Sequence, residues 1–225
     1  MGIEYLRPSL ISLQNSISKK VLLLDDCEGT TLFVASGTGD DFSAANHADA
    51  RYHGSKGLKL LTKETTPAEN DYISAFRYVC LPRSGIYSAS FRFSLPDASD
   101  VKYLQFGFYT DKGGYLYYPS LTIYPNTKKF YFTNSAGSDE DVCTTTYSCT
   151  DNTFHTIELQ INISTAKYVA AFFDHYASSF SEEALPITNT ANVLSSYIFF
   201  KLVAAGANQA AAYIDDIQIC ELSLS

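Results

Sequence analysis

Residues 85–95 read GIYSASFRFSL, and their spacing decides the fold class. From Tyr87 onward the odd positions are apolar (Tyr87, Ala89, Phe91, Phe93, Leu95), with Ser88, Ser90, Arg92 and Ser94 between them. A period of two sends successive side chains to opposite faces of an extended chain, one face buried and the other wet. Residues 154–163, FHTIELQINI, repeat the pattern with Ile157, Leu159, Ile161 and Ile163 inward. On either side lie further short apolar runs, from VLLLDDC at residue 21 to AAYIDDIQICEL at residues 211–222, separated by turn clusters such as SLPDAS, TDKGG and YPNTKK. Short alternating strands with turn residues between them predict an all-β antiparallel sandwich.

The composition fits that class. Hydrophobic residues are 46% of the 225, and the aromatics are 17 Tyr and 15 Phe with no Trp; rings and β-branched side chains suit pleated surfaces. Residues 1–20 read as a polar arm in which SLISLQNSIS forms a helical turn or two, and residues 21–225 as one sandwich domain. Ser36–His53 reads as a loop, while Ser178–Leu185 and Ala204–Ala212 read as helical or loop-like.

A formal charge of −8 opposes nucleic acid or an anionic membrane as partner. The N-terminus lacks the basic start, apolar core and small-residue cleavage site of a signal peptide, and no apolar run reaches membrane-spanning length. The expectation is a chain made in a cytoplasm. Five cysteines (Cys27, Cys80, Cys143, Cys149, Cys220), an odd number with no signal peptide, then read as reduced thiols; Cys143 and Cys149 could close a hairpin only under oxidising conditions.

Catalytic patterns are wanting. The acidic clusters Asp40-Asp41, Asp139-Glu140-Asp141 and Glu182-Glu183 fall in polar, loop-like stretches, and His47, His53, His155 and His175 show no ligand spacing. The chain therefore reads as no enzyme.

Three segments taken together carry a resemblance: LLLDDCEGTTL at 22–32, ARYHGSKGLKL at 50–60 and AAYIDDIQICEL at 211–222. Their order and spacing resemble the jelly-roll β-sandwiches of carbohydrate-binding modules and lectin-like domains. In those domains the first and last strands lie together, and a structural calcium often sits beside them. Carried over, the resemblance implies a calcium held by Glu28, by carbonyls around His53–Lys56 and by Asp215 or Asp216. Cys27 departs from the pattern, which has an aromatic residue there. Strand parity puts Asp215 on the face of Ile217 and Ile219 if no bulge intervenes. The alternative is that Asp215 accepts backbone hydrogen bonds while Asp216 meets water.

A glycan site needs flat rings beside polar groups. Tyr103, Gln105 and Tyr109 share one face of residues 101–109, and Tyr117 and Arg92 are further candidates; the same tyrosines also suit a protein interface. A lectin-like sandwich with an arm and no secretory signal suits a virion protein. The expectation is a non-catalytic structural or attachment component of a virus particle, as in phage head decoration or tails. Its arm would dock on other virion proteins or on copies of itself. The alternative is a free-standing carbohydrate-binding protein.

Overall fold

The computed structural model describes residues 17–81, 84–142, 149, 151–180, 183–188 and 196–224. In chain order its first strands are β1 (Ile17–Asp25), β2 (Val34–Gly37), β3 (Ser43–His47), β4 (Gly57–Leu61), β5 (Tyr72–Val79) and β6 (Ile86–Ser94). Next come β7 (Val101–Lys112), β8 (Tyr115–Tyr117), β9 (Ser120–Tyr124), β10 (Lys129–Thr133) and β11 (Asp139–Asp141). The last are β12 (His155–Asn162), β13 (Lys167–Phe173), β14 (Tyr176–Ser179), β15 (Ile187–Thr188), β16 (Ser196–Ala204) and β17 (Ala211–Leu224).

They form two antiparallel sheets. The first runs β14-β13-β12-β6-β17-β4-β3, with β1 also on β17; the second runs β11-β10-β9-β7-β16-β5-β2, with β8 on β7 and β15 on β8. The two sheets make a jelly-roll sandwich. The alternation in residues 86–94 does what its period dictates. Tyr87, Phe91 and Phe93 go inward and are fully buried, and Phe91 meets Phe106 of β7 at 4.6 Å and Phe200 of β16 at 4.8 Å between ring centres, both edge-on. Ile157, Leu159 and Ile161 of β12 fill the same interior.

The structure departs from the sequence expectations at the margins. β1 begins at Ile17, so four residues assigned to the arm pair with Glu221–Leu224; the rest of the arm lies outside the described residues. The stretch read as a loop from Ser36 contains the end of β2 and all of β3, held as edges by β5 and β4. Asp139-Glu140-Asp141 is strand β11 rather than loop. Its turn is set by Asn134, whose Oδ1 accepts from the N–H groups of Ala136 and Ser138, and a charged, exposed edge suits the rim of a sheet. Neither Ser178–Leu185 nor Ala204–Ala212 is helical where described; β14 and β16 run into the first and the last, and β17 starts at Ala211. Cys27, Cys80, Cys149 and Cys220 are free thiols, and Cys143 lies outside the described residues. No helix among the described residues is long and apolar enough to cross a membrane.

Candidate functional site

Two aspartate pairs organise the junction of the first and last strands. After β1, Asp25 Oδ1 accepts from the N–H of Cys27 and Asp26 Oδ1 from that of Glu28; such aspartate turns mimic a backbone turn. Cys27 takes φ +56°, and the chain delivers Glu28 to the loop before β4. Its carboxylate accepts from Ser55 N–H at 2.5 Å, from Lys56 N–H at 3.1 Å and from the Ser55 hydroxyl. Those bonds, the hydroxyl's first, hold its pKa below the ordinary value. Gly54 makes the approach workable, since its φ is +65° and a Cβ there would sit 1.9 Å from Glu28 Oε1.

The pair in β17 straddles a bulge. The register with β6 shifts between Asp215 and Gln218, and Asp216 takes φ +51°, a left-handed conformation that aspartate tolerates better than most side chains. The condition on which parity placed Asp215 therefore fails: Ile214 and Ile217 are inward, and Asp215 lies opposite Arg92 on the outer face. It is nonetheless fully buried, because the loop covers it. Asp215 Oδ2 accepts from Tyr52 N–H at 2.6 Å and His53 N–H at 2.9 Å, and Oδ1 from Asp216 N–H; burial still pushes its pKa up. Asp216 Oδ2 binds His53 Nδ1 at 2.8 Å and accepts from Arg92 Nε at 3.1 Å. The guanidinium of Arg92 lies 4.0 Å over the Tyr52 ring.

Glu28, His53, Lys56, Asp215 and Asp216 thus come together, as a hydrogen-bonded knot. The loop turns N–H donors, rather than the expected carbonyls, toward the carboxylates of Glu28 and Asp215, so the arrangement does not match a mixed carboxylate and carbonyl cage for calcium. Among the described residues, no group of three or more His, Cys, Asp or Glu is arranged to hold a metal ion.

The outer face of the second sheet is different in kind. Register aligns one polar row straight across it: Thr122 of β9, Gln105 of β7, Lys201 of β16, Ser74 of β5 and Ser36 of β2. On one side stand Phe199 and Phe76, then Tyr109, Tyr197 and Tyr78; on the other stand Tyr103 and Tyr72. Gly107 must lack a side chain, because a Cβ there would lie 2.8 Å from Phe199 and 2.5 Å from the Pro119 carbonyl. Tyr109 and Tyr197 stack at 4.5 Å and 18°. Burial pushes the hydroxyl pKa of Tyr109 up, and that of Tyr197 to about 12, so both stay neutral donors. The cleft measures about 400 Å³ over Ser74, Gln105 and Lys201. A second hollow of about 440 Å³ continues it past Tyr103 and Thr122 to Asp139. Tyr124 donates to Asp139 there at 2.8 Å.

Of the candidate ligand residues, Tyr103, Gln105 and Tyr109 share this cleft. Tyr117 instead packs against the core from β8, and Arg92 belongs to the other sheet, where it braces Asp216. Tyr72, Phe76, Tyr197, Phe199 and Lys201 were not singled out by sequence. Alternation in residues 196–204 marks their outward face, but only the register with β5 and β7 sets them beside Gln105.

No protein-family model matches the sequence, and no curated protein matches it. Solved structures do. The carbohydrate esterase vb_24B_21 of the Shiga toxin-encoding bacteriophage phi24B is 18% identical at TM-score 0.56, covering 92% of this chain and 100% of its own. The cellulose-induced protein Cip1 is 12% identical at TM-score 0.55, covering 88% and 96%. The carbohydrate recognition domain of Emp46p is 10% identical at TM-score 0.51, covering 90% and 97%. Carbohydrate-binding modules also match, at TM-scores of 0.47 and 0.40. At these identities the likeness is one of fold: the chain is a jelly-roll β-sandwich.

Proposed function

We propose that the chain binds glycans in the aromatic cleft of its second sheet without acting on them, as an attachment component of a phage particle. The polar row between aromatic walls carries this proposal. Sugar rings offer apolar faces to stack on tyrosine and hydroxyl edges to pair with Gln105, Ser74 and Ser36. Glycoside hydrolysis uses two carboxylates flanking the scissile bond. The acid lining this cleft among the described residues is Asp139, already engaged by Tyr124. The likeness to a bacteriophage protein supports the particle setting. Docking on the particle would run through the N-terminal residues.

The test is a glycan array with the purified chain. Binding that falls at least about fivefold in Tyr109→Ala and Tyr197→Ala, and stays in Arg92→Ala, is the expected result, since stacked rings contribute on the order of 1 kcal/mol or more. Release of sugar or acyl groups from a bound glycan would make it an enzyme instead. Purified particles should contain the chain; recovery only as free protein would leave a free-standing lectin.

A further inference from the structure

Lys201 occupies the middle of the polar row, opposite Gln105 on one side and Ser74 on the other. Its Nζ lies 5.1 Å from the ring centre of Tyr72 and 5.9 Å from that of Tyr103. Several other cations are ion-paired: Lys59 with Asp49, Lys102 with Glu69, Lys129 with Asp141, Arg77 with Asp25 and Arg92 with Asp216. Among the described residues no carboxylate ion-pairs with Lys201. This is in a chain with 24 acidic residues against 16 basic ones. A second group in the row is also unserved, for Thr122 Oγ1 is buried with no hydrogen-bond partner.

A ligand lying over this row strips water from the ammonium. Covering a charge without a counter-charge is unfavourable, and neutral hydroxyls compensate only in part. A carboxylate compensates better, because it brings the counter-charge and its charge-assisted hydrogen bonds are about twice as strong as neutral ones. Its two oxygens can also be shared between Nζ and the Gln105 amide on the adjacent strand. That amide spends one N–H on Ser120 Oγ at 3.1 Å and has a second to give. A densely charged polyanion is a poor fit, since the net charge of −8 repels it.

We propose that the cleft selects glycans bearing a carboxylate sugar, with the carboxylate seated on Lys201. This rests on the glycan-binding proposal and names its ligand class. The probes are matched pairs: a uronate oligosaccharide and its carboxyl-reduced form, a sialylated and a desialylated oligosaccharide, and sulfated members of the same backbones. The full chain should bind at least one carboxylated member about tenfold more tightly than its neutral partner. Lys201→Met should lose that preference, while Lys201→Arg keeps it; melting curves confirm that each variant is folded. Equal affinity within every pair, a preference for sulfated members, or a preference surviving Lys201→Met overturns the carboxylate assignment and leaves glycan binding standing. No binding to any glycan by the folded chain overturns both.

Discussion

The Ser55 hydroxyl and the N–H groups of Ser55 and Lys56 hold the Glu28 carboxyl below its ordinary 4.5. A depressed carboxyl contributes stability that is present above the unfolded value and is lost as pH falls through the folded one. Glu28→Gln should therefore lower the melting temperature at pH 7, and its gap from the wild type should narrow steadily below pH 4.5. Since Glu28 and Asp215 already face N–H donors, a chelator should leave the melting temperature unchanged. A fall on chelation that disappears in Glu28→Gln would instead put a cation beside the loop. Asp216 carries a different burden, its left-handed backbone at φ +51°. Asp216→Val should destabilise by about 1–3 kcal/mol in urea titrations, the cost of holding a β-branched residue there. Asp216→Asn, which tolerates the conformation, should cost less.

Strands with a buried face were legible in the sequence because burial on one side imposes period two, as in residues 87–95. Short edges were not: Val34–Gly37, Ser43–His47 and Asp139–Asp141 bury little, so their side chains carry hardly any periodic signal. The bulge at Asp216 was invisible for a related reason, since parity counts residues and a bulge adds one. Its result is that the adjacent aspartates, which parity sends to opposite faces, both serve the loop at Tyr52–His53. The start of β1 has a practical consequence. Deletion through residue 20 removes the pairs from Ile17–Leu224 to Lys20–Glu221, so it should lower stability more than deletion through residue 16 when the two are melted side by side. In β7, Gly107→Ala should cost about 1–3 kcal/mol as an overpacking change, because the carbonyl of Pro119 and the ring of Phe199 leave no room. Tyrosine emission should report the disturbance through Tyr109, whose ring lies 5.2 Å from that of Phe199, as the chain has no tryptophan to mask it.

Across the whole molecule the two outer faces differ. The first sheet's face is closed at β17 by the Tyr52–His53 loop and the Arg92 brace, while the second is left open as the cleft. Jelly-roll architecture was readable from motif order alone. The cleft was readable only in part, because its members come from five strands whose sequence separations say nothing of register. That register also makes the row a ruler. Strands lie about 4.8 Å apart, so the five positions from Thr122 to Ser36 span roughly 19 Å. Pyranose units in an extended chain repeat at nearly the strand spacing, so an oligosaccharide bound as proposed and laid across the sheet would set one unit over each strand. Affinity should climb with every sugar added until the row is full, at about four or five units, and then level off, a staircase whose number of steps is the number of strands beneath it.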